Sequence, residues 1–598
     1  MRCYTPVGKT AQGHFALSVG VRALSYFTKI FGIPYPLPKL DMVAITEFAA
    51  GAMENWGLVT YREAALLIDV HQSSAGRKQG VARTVSHELA HQWFGNLVTM
   101  DWWTWLYLNE GFARWVEHLS VNHLFPEWDI WTQFVTDVRG SATSLDAMRS
   151  SHAIEVDVHH PAEINEIFDT ISYAKGGTVI RMLSFYLTEE VFLKGLNLYL
   201  TRHSYANATS DDLWSALEEA SGKPVRDIMN SWTKQVGYPV LSFEEVGHKE
   251  NKTVFKVRQT RFLSNGEKDD EPVWSVPVGI IAEKKKDIQF FLISQREQEI
   301  EVEVGKDEWM KVNAGMTGMF RVKYPQERLK LLGAAVQSKA FSAADRLGIQ
   351  DDLYALAKAG LGSIVDYLGF LANYQGEDDY SVVSDIATNL AGLELLLKKI
   401  SLAIFRPIKA KLGWDPRPDD SHLTQLFRAL VISRLSSCDD PETVAEAKQR
   451  FERYLAGPAS LAPDLRFTVY KSVIAHGGVE EYEAVLKLFR QSDFSEEQRR
   501  CLQAFGATRV PELLVRTLDF ALSEEVRTSD VPFPVASVSS NPAGRDIAWQ
   551  YMKDKWVIFD KKFGGGLFII TSIVGTCTNY FTTEEKAKDI EARLTTTT

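Results

Sequence analysis

Two histidines spaced one helical turn apart constrain this chain more than any other feature of its sequence. His87 and His91 lie in residues 84–96, where apolar residues recur at helical spacing. Because residues four apart on a helix share one face, both imidazoles can point at a single ion. Glu88 follows the first histidine directly and can reach a water on such an ion. This H-E-x-x-H pattern predicts half of a zinc site.

A third ligand is needed, because a catalytic zinc ion takes three protein ligands and leaves one position open for water. The 18 residues 92–109 separate His91 from Glu110, which stands in the segment N-E-G-F-A at the start of a second helical pattern. Glu110 is therefore the predicted third ligand of one zinc ion per chain. Buried histidines in a helix often serve packing alone, but the second segment at a set distance favours the metal site.

A further segment with a glycine at each end, G-A-M-E-N-W-G, spans residues 51–57 between two strand-like runs. The glycines indicate a backbone that another chain can approach closely. Glu54 lies within it, and a glutamate in such a loop usually does no more than meet solvent. In a protein that also holds zinc, its carboxylate can instead bind a cation, and the free α-amine of a peptide is one.

Length and hydrophobic period divide the chain into three parts, since 598 residues are too many for one core. Residues 1–238 mix strand-like and helical runs, whereas residues 239–326 alternate apolar and polar side chains as an antiparallel β module does. In residues 327–598 the apolar spacing is helical, with short breaks at glycine and proline. We predict a multidomain α+β protein whose all-helical last part stacks as an α-solenoid.

The charge and the cysteine content of the chain limit the binding partners and the cellular compartment that we expect. The 66 lysines and arginines are outnumbered by 77 aspartates and glutamates, and the net charge of -11 repels nucleic acid. No apolar run in the sequence reaches the ~18 residues of a membrane span, so no membrane partner is expected. The 4 cysteines are widely separated, which is typical of a reducing compartment and predicts a cytoplasmic protein.

Three motifs together carry a resemblance to a known family. G-A-M-E-N, H-E-x-x-H-x18-E and the segment I-S-Y-A-K-G-G at 171–177 resemble the zinc aminopeptidases of family M1, and within it the puromycin-sensitive and fungal cytosolic members. The resemblance extends from about residue 4 to about residue 583. It implies a thermolysin-like catalytic domain at 1–238, a small β-sandwich domain at 239–326 and a helical C-terminal domain at 327–598.

The resemblance implies a role for each residue of the catalytic centre. His87, His91 and Glu110 are similar to the zinc ligands of the family. Glu88 resembles the general base that activates the water on the metal. Tyr173 resembles the tyrosine whose hydroxyl stabilises the oxyanion of the tetrahedral intermediate, although its sequence context alone would make it a packing residue.

The same resemblance assigns the G-A-M-E-N segment to substrate binding. Glu54 is similar to the carboxylate that holds the free amino group of the substrate. The backbone of Gly51 and Ala52 is expected to pair with the substrate as an added strand, with Met53 and Asn55 beside it. The expected substrates are therefore peptides with a free amino terminus, and the expected product is a single amino acid. The sequence leaves the oligomeric state open, with a monomer as the expectation.

The sequence also departs from the family pattern. Members normally carry a β-rich domain of about two hundred residues before the point that residues 4–8 match, so the chain is expected to be a fragment that also stops before the final helices. We expect it to bind one zinc ion but to show reduced or no peptidase activity until the upstream domain is restored.

Three other interpretations remain open. A thermolysin-like endopeptidase would share the histidines and a downstream glutamate but would have no use for Glu54. A bifunctional epoxide hydrolase of the leukotriene type is built on the same scaffold, yet the β module at 239–326 resembles the longer four-domain aminopeptidases more closely. A non-catalytic scaffold of the same family, or a catalytically impaired fragment, would keep the structure without zinc-dependent turnover.

Overall fold

The computed structural model describes residues 1–48, 50–457, 460–564 and 569–595. The chain forms two compact units. The first comprises Met1–Leu17, Leu40–Val81 and Leu397–Thr598, and the second comprises Ser18–Lys39 and Ala82–Leu396. No helix in the described part of the chain combines the length and the apolarity needed to cross a lipid bilayer.

The strands are short and belong to four sheets. Their bounds are β1 Arg2–Tyr4, β2 Asp41–Ile45, β3 Ala52–Met53, β4 Leu58–Arg62, β5 Val98–Met100, β6 Ala206–Ala208, β7 Pro239–Lys249, β8 Lys252–Arg261, β9 Val276–Ala282, β10 Gln289–Ile293, β11 Glu297–Val302, β12 Met310–Val312 and β13 Arg321–Lys323.

Helices make up most of the remaining regular structure. Up to residue 238 they are α1 His14–Phe31, α2 Glu63–Leu66, α3 Ala75–Ala90, α4 Glu110–Leu124, α5 Ile130–Phe134, α6 Gly140–Asp146, α7 Gly176–Leu187, α8 Glu189–Arg202, α9 Ser210–Ser221 and α10 Val225–Thr233. The later helices are α11 Gln326–Gln337, α12 Ala343–Lys358, α13 Ile364–Phe370, α14 Tyr380–Ala391, α15 Glu394–Leu412, α16 His422–Ser437, α17 Pro441–Ala456, α18 Pro463–His476, α19 Val479–Gln491, α20 Ser495–Phe505, α21 Pro511–Leu522, α22 Pro532–Ser540, α23 Arg545–Asp554, α24 Trp556–Phe563, α25 Ile569–Thr578 and α26 Glu584–Thr595.

The first unit contains a four-stranded sheet in the order β1-β2-β4-β3. β1 and β4 pair parallel to β2, whereas the short strand β3 runs antiparallel to β4 with Ala52 opposite Tyr61. The N–H of Arg62 also donates to the carbonyl of Gly51 at 2.9 Å, which extends this pairing by one step. β3 is thus the edge strand of the sheet, and edge strands present backbone groups to which another extended chain can pair.

The helices of the first unit stack in a two-layered series. One layer consists of α16, α18, α20, α22 and α25, each of which contacts the next helix of that layer. The helices α17, α19, α21 and α23 pack on helices of this layer. Proline at the first turn of α17, α18, α21 and α22 suits a helix start, because the N–H that it lacks has no partner there. This nearest-neighbour packing is typical of an α-solenoid.

The second unit has an aromatic core beneath the two helices that bear the predicted metal ligands. Phe27 and Phe31 of α1 pack against Trp93, and Phe94 stacks on Phe112 with ring centroids 4.7 Å apart. The indole N–H of Trp93 donates to the carbonyl of residue 33 at 3.1 Å, so its polar atom is satisfied inside this core. The end of α3 and the start of α4 are therefore held by buried rings.

Strands β7–β13 form the β module of the second unit. Three strands pair in the order β10-β9-β12 and four in the order β11-β8-β7-β13, all antiparallel except β7 with β13. Phe243 of β7 and Phe255 of β8 meet edge to face with centroids 5.9 Å apart. The predicted multidomain α+β fold class is confirmed: a first part mixes sheet and helix, a small β module of two sheets follows, and a long helical part completes the chain.

A network of buried charges joins β13 to α12 within the second unit. Arg139 is fully buried, and its Nη1 lies 3.2 Å from Oδ2 of Asp351. Arg321 pairs with the same Asp351 and, at 3.1 Å, with Oδ1 of Asp352. Because each guanidinium has a carboxylate partner, the cost of burying these charges is offset by their attraction.

Asp385 of α14 lies beside this network, and burial together with the charge of Asp351 raises the pKa of Asp385 to about 8. Since the unfolded-state pKa is about 4, protonation of Asp385 adds stability below about pH 4 that is lost as the pH rises toward 8. Asp385→Asn should therefore raise the free energy of unfolding at pH 8 by about 1–3 kcal/mol and have little effect at pH 4.

Urea unfolding of the wild type and the variant at both pH values measures this difference. An asparagine oxygen can still accept from Asn389, whose amide lies 3.2 Å from Oδ2 of Asp385. The control is Asp378→Asn, which changes an exposed carboxylate on the same unit. An equal loss of stability at pH 4 and pH 8 would contradict the assignment.

Candidate metal centre

Three predicted ligands converge between α3 and α4. Nε2 of His87 lies 3.2 Å from Oε2 of Glu110, and Nε2 of His91 lies 3.3 Å from the same oxygen. The two imidazole rings are nearly perpendicular, with centroids 4.7 Å apart. All three side chains are buried, and their ligand atoms lie within 4.8 Å of one another. Tetrahedral ligands at about 2.0–2.2 Å from zinc stand roughly 3.3 Å apart, so this donor set fits the ion.

The other ring nitrogens of both histidines are held by acceptors. Nδ1 of His87 lies 2.8 Å from Oε2 of Glu117, and Nδ1 of His91 lies 3.0 Å from the carbonyl of Phe94 and 2.6 Å from Oδ1 of Asn109. A proton on each Nδ1 leaves the Nε2 lone pairs directed at the common point. Gly95 makes the Asn109 contact possible, because its φ is +122° and a Cβ there would lie 2.2 Å from that oxygen.

Glu117 links the metal ligands to two arginines. It is 1% exposed, and its Oε1 accepts from Nε of Arg83 at 3.0 Å and from Nη1 of Arg114 at 2.9 Å. Burial acts to raise the pKa of Glu117, but the charges of Arg114 and Arg83 outweigh it and hold that pKa well below its usual range. Glu117 is therefore an ionised acceptor for His87.

Glu110 is also held in its charged form. Burial acts to raise the pKa of Glu110, but His91 and His87 outweigh it and leave that pKa below the ordinary range. An ionised carboxylate beside two imidazoles is a donor set that zinc prefers. On α3, Glu88 is 5% exposed, and one of its carboxylate oxygens lies within 4.8 Å of a ring nitrogen of His91.

Tyr173 approaches this centre on a π-helical turn, Ile171–Lys175, which precedes α7. Its ring lies nearly parallel to that of His87, with centroids 6.2 Å apart. The close approach depends on two glycines, because a Cβ on Gly111 of α4 would lie 3.1 Å from Cα of Gly176. The backbones of α4 and the π turn are thus nearly in contact, and single turns of π-helix are frequent at functional sites.

Asp169 fixes the start of the π turn. Its Oδ1 accepts from the N–H groups of Ile171 and Ser172 at 2.9 and 3.1 Å, and its backbone carbonyl accepts from the N–H of Tyr173 at 3.1 Å. Its other oxygen lies 2.8 Å from Nε2 of His152. One side-chain oxygen of Asp169 therefore caps the turn that carries Tyr173, and the contact of the other oxygen with His152 fixes the carboxylate.

The predicted site residues fall into two groups. The structure brings together His87, Glu88, His91, Glu110 and Tyr173, all within the second unit.

The G-A-M-E-N residues belong to the first unit, at the edge strand β3 and the turn that follows. Met53 is 42% exposed, and the side-chain amide of Asn55 donates to Oγ1 of Thr60 at 3.2 Å. Glu54 stands between these two residues, beyond the end of β3.

Sequence reasoning missed Glu117, Asn109 and Asp169. Glu117 follows Glu110 by two helical turns on α4, so the spacing of seven residues placed it on the ligand face. Asn109 directly precedes the third ligand, and Asp169 stands two residues before the I-S-Y segment. These positions were visible as polar residues near the motifs, but their partners lie on other elements.

Comparison with known proteins gives two matches to family models. Residues 15–232 match the Peptidase family M1 domain, and residues 309–597 match the ERAP1-like C-terminal domain. Aminopeptidase M1 of Arabidopsis thaliana is 42% identical over 621 residues, which cover 99% of this chain and 70% of that protein. The alanine/arginine aminopeptidase of Saccharomyces cerevisiae is 38% identical, with 99% and 70% covered. The puromycin-sensitive aminopeptidase of Caenorhabditis elegans is 37% identical, with 94% and 61% covered.

Proposed function

The chain belongs to peptidase family M1, and on that basis we propose that it is a zinc-dependent aminopeptidase. Its reaction is hydrolysis of the first peptide bond of a peptide with a free amino terminus, which releases one amino acid. The observation that carries the proposal is the convergence of His87, His91 and Glu110 on one point with Glu88 beside them. Each imidazole has its second nitrogen engaged, as histidine ligands of zinc do.

Glu88 and Tyr173 are proposed to have separate roles in the reaction. When bound, the zinc ion supplies Lewis-acid polarisation of the scissile carbonyl and lowers the pKa of a water to about 7. Glu88 is proposed to take the proton of that water and to deliver it to the leaving amine. Tyr173 is proposed to donate its hydroxyl hydrogen to the carbonyl oxygen as negative charge develops there.

Glu54 is proposed to set the position of cleavage. A carboxylate that pairs with the ammonium of the first residue favours cleavage one residue from the amino terminus, because an internal amide nitrogen carries no charge. The backbone of Gly51 and Ala52 at the edge strand β3 is suited to pair with an extended substrate, with Met53 and Asn55 alongside. We assign the chemistry to residues 1–238 and the β-sandwich and helical domains to 239–326 and 327–598.

The proposal includes the cellular compartment and the partners of the enzyme. The four cysteines are free thiols, and three of them are buried, which suits a reducing compartment such as the cytoplasm. The partners are peptide substrates, and we propose that the chain works as a monomer. Nucleic acid and membranes remain unexpected partners on the charge and hydropathy of the sequence.

Hydrolysis of alanyl- and arginyl-coumarin amides tests the proposal. Turnover by the zinc-loaded chain would support the aminopeptidase over the catalytically impaired fragment. Where the chain turns over, we expect Glu54→Ala to lower kcat/KM about a hundredfold, because loss of one partner of a charge pair that the substrate covers costs about 2–5 kcal/mol. The matched control is Glu47→Ala, which removes an exposed carboxylate close to the same segment.

Two results would favour other interpretations. Cleavage of internal bonds that is indifferent to Glu54→Ala would identify an endopeptidase. Zinc at one per chain without any turnover would support a non-catalytic scaffold of the same family.

A further inference from the structure

A cavity of about 460 Å³ opens beside Tyr173 in the second unit. Its walls carry the guanidinium groups of Arg83 and Arg114, together with the carboxylates of Asp137 and Asp169. Tyr173, whose ring centroid lies 6.2 Å from that of His87, also lines the cavity, so one residue borders both the metal centre and this space.

The two arginines stand one helical turn from the metal ligands. Arg83 precedes His87 by four residues on α3, and Arg114 follows Glu110 by four residues on α4. Side chains at this spacing are neighbours on one helix face, about 5–6 Å apart. Both guanidiniums reach Oε1 of Glu117, at 3.0 and 2.9 Å, so they converge on one side of the centre.

The arginines carry more positive charge than their buried partner neutralises. One carboxylate, Glu117, serves both guanidiniums and also accepts from His87. Within the described part of the chain, Glu117 is the one ion-pair partner of Arg114, whose Cζ lies 5.7 Å over the ring of Tyr173. A guanidinium has five N–H donors, and side chains of Arg83 and Arg114 are 19% and 27% exposed, so both can meet a ligand in the cavity.

The two aspartates of the cavity compensate this charge only in part. Asp169 is engaged by His152 and by the N–H groups of Ile171 and Ser172. Asp137 lies 3.5 Å from Nη1 of Arg83, but it is 48% exposed, and ion pairs in contact with solvent are weak. The buried wall of the cavity is therefore the basic one.

We propose that this cavity binds a carboxylate of the substrate on the leaving-group side of the scissile bond. This inference rests on the proposed aminopeptidase function. The amino-terminal residue bears the ammonium, which two guanidiniums repel, so the basic wall suits the part of the peptide beyond the cleaved bond. The carboxylate is either the side chain of a glutamate or aspartate in the second position or the terminal carboxylate of a dipeptide.

Alanine release from matched dipeptide amides tests the preference. We expect kcat/KM for Ala-Glu-NH₂ to exceed that for Ala-Lys-NH₂ by about tenfold, with Ala-Gln-NH₂ between them. Arg114→Gln should bring this ratio close to one. The ratio is the readout because a general loss of activity in the variant affects all three substrates alike. Arg149→Gln removes an exposed arginine of the same unit and should keep the wild-type ratio.

Two further substrates distinguish the source of the carboxylate. If kcat/KM is higher for Ala-Gln than for Ala-Gln-NH₂, and the difference disappears in Arg114→Gln, the terminal carboxylate is a ligand of the cavity. Comparison of Glu-Gln-NH₂ with Gln-Gln-NH₂ tests the first position. A preference for acidic side chains at the first position alone overturns the assignment of the cavity to the second position. A preference for lysine at the second position also overturns it, and so does a glutamate-to-lysine ratio of kcat/KM that is unchanged in Arg114→Gln.

Equilibrium binding separates this inference from the proposed function. Calorimetry with zinc-loaded Glu88→Gln measures the dissociation constants of Ala-Glu-NH₂ and Ala-Lys-NH₂ without turnover. A dissociation constant about tenfold lower for the glutamate peptide supports carboxylate binding by the cavity. If the wild type then hydrolyses neither peptide, the proposed function alone fails. Hydrolysis with equal binding and equal kcat/KM for the two peptides leaves the function standing and refutes the carboxylate site.

Discussion

Glu88→Gln is expected to lower kcat for alanyl-coumarin amide by about 10²–10⁴-fold while zinc stays near one per chain. Glutamine keeps the size of the side chain but cannot take a proton from water at neutral pH. Glu88 is buried on α3, and its backbone carbonyl accepts from the side chain of Gln92 at 3.0 Å. Because this bond does not involve the Glu88 carboxylate, we expect the helix to keep its conformation in the variant.

Initial rates and metal content by mass spectrometry measure the two parts of this prediction. Glu127→Gln, an exposed glutamate of the same unit, is the matched control and should retain both activity and zinc. A Glu88→Gln variant with activity within tenfold of the wild type would remove Glu88 from the chemistry. A variant without zinc would show that the residue supports the metal site instead.

Removal of one metal ligand is expected to have a still broader effect. Glu110→Ala should bring the zinc content from one per chain to near zero and abolish turnover, since two imidazoles alone do not make the three-ligand site of a catalytic zinc ion. Because zinc binds the folded chain, an excess of about 1,000 times its Kd stabilises the wild type by about 4 kcal/mol. The wild type should therefore melt at a lower temperature after chelation and recover on return of zinc.

Thermal unfolding with and without chelator tests the ligand assignment independently of activity. Glu110→Ala should give the same melting temperature in both conditions, and Glu110→Gln, which keeps the shape of the side chain, covers the case in which the alanine variant does not fold. Glu127→Ala serves as the control with an unchanged response to chelator. Stoichiometric zinc in both Glu110 variants would contradict the ligand set.

The part of the site that could be read from the sequence is the part encoded by local spacing. His87 and His91 are four residues apart on one helix, so their convergence needs no knowledge of tertiary structure. Glu110 was identified because it stands in the segment N-E-G-F-A, which begins a second helical pattern a short distance after His91. Tyr173 was assigned through the family resemblance, since an isolated tyrosine before a helix is indistinguishable from a packing residue.

The part that could not be predicted depends on which elements pack together. Glu117 acts on His87 across the contact of α3 with α4, and no periodicity in either helix reports that pairing. The alternate-helix stacking of the solenoid was likewise predicted only in outline, because its helices differ in length and share no fixed repeat. Of the G-A-M-E-N residues, only Ala52 and Met53 lie on a strand, and two residues are too few to give a period.

The contact between Gly111 and Gly176 has a consequence for how such a chain can change over time. Main-chain atoms of the ligand-bearing helix and of the turn that carries the tyrosine meet directly at this point. Substitutions at exposed cavity residues such as Asp137 can therefore accumulate without moving this main-chain contact. Substrate preference is free to drift in a lineage while the reaction itself is conserved.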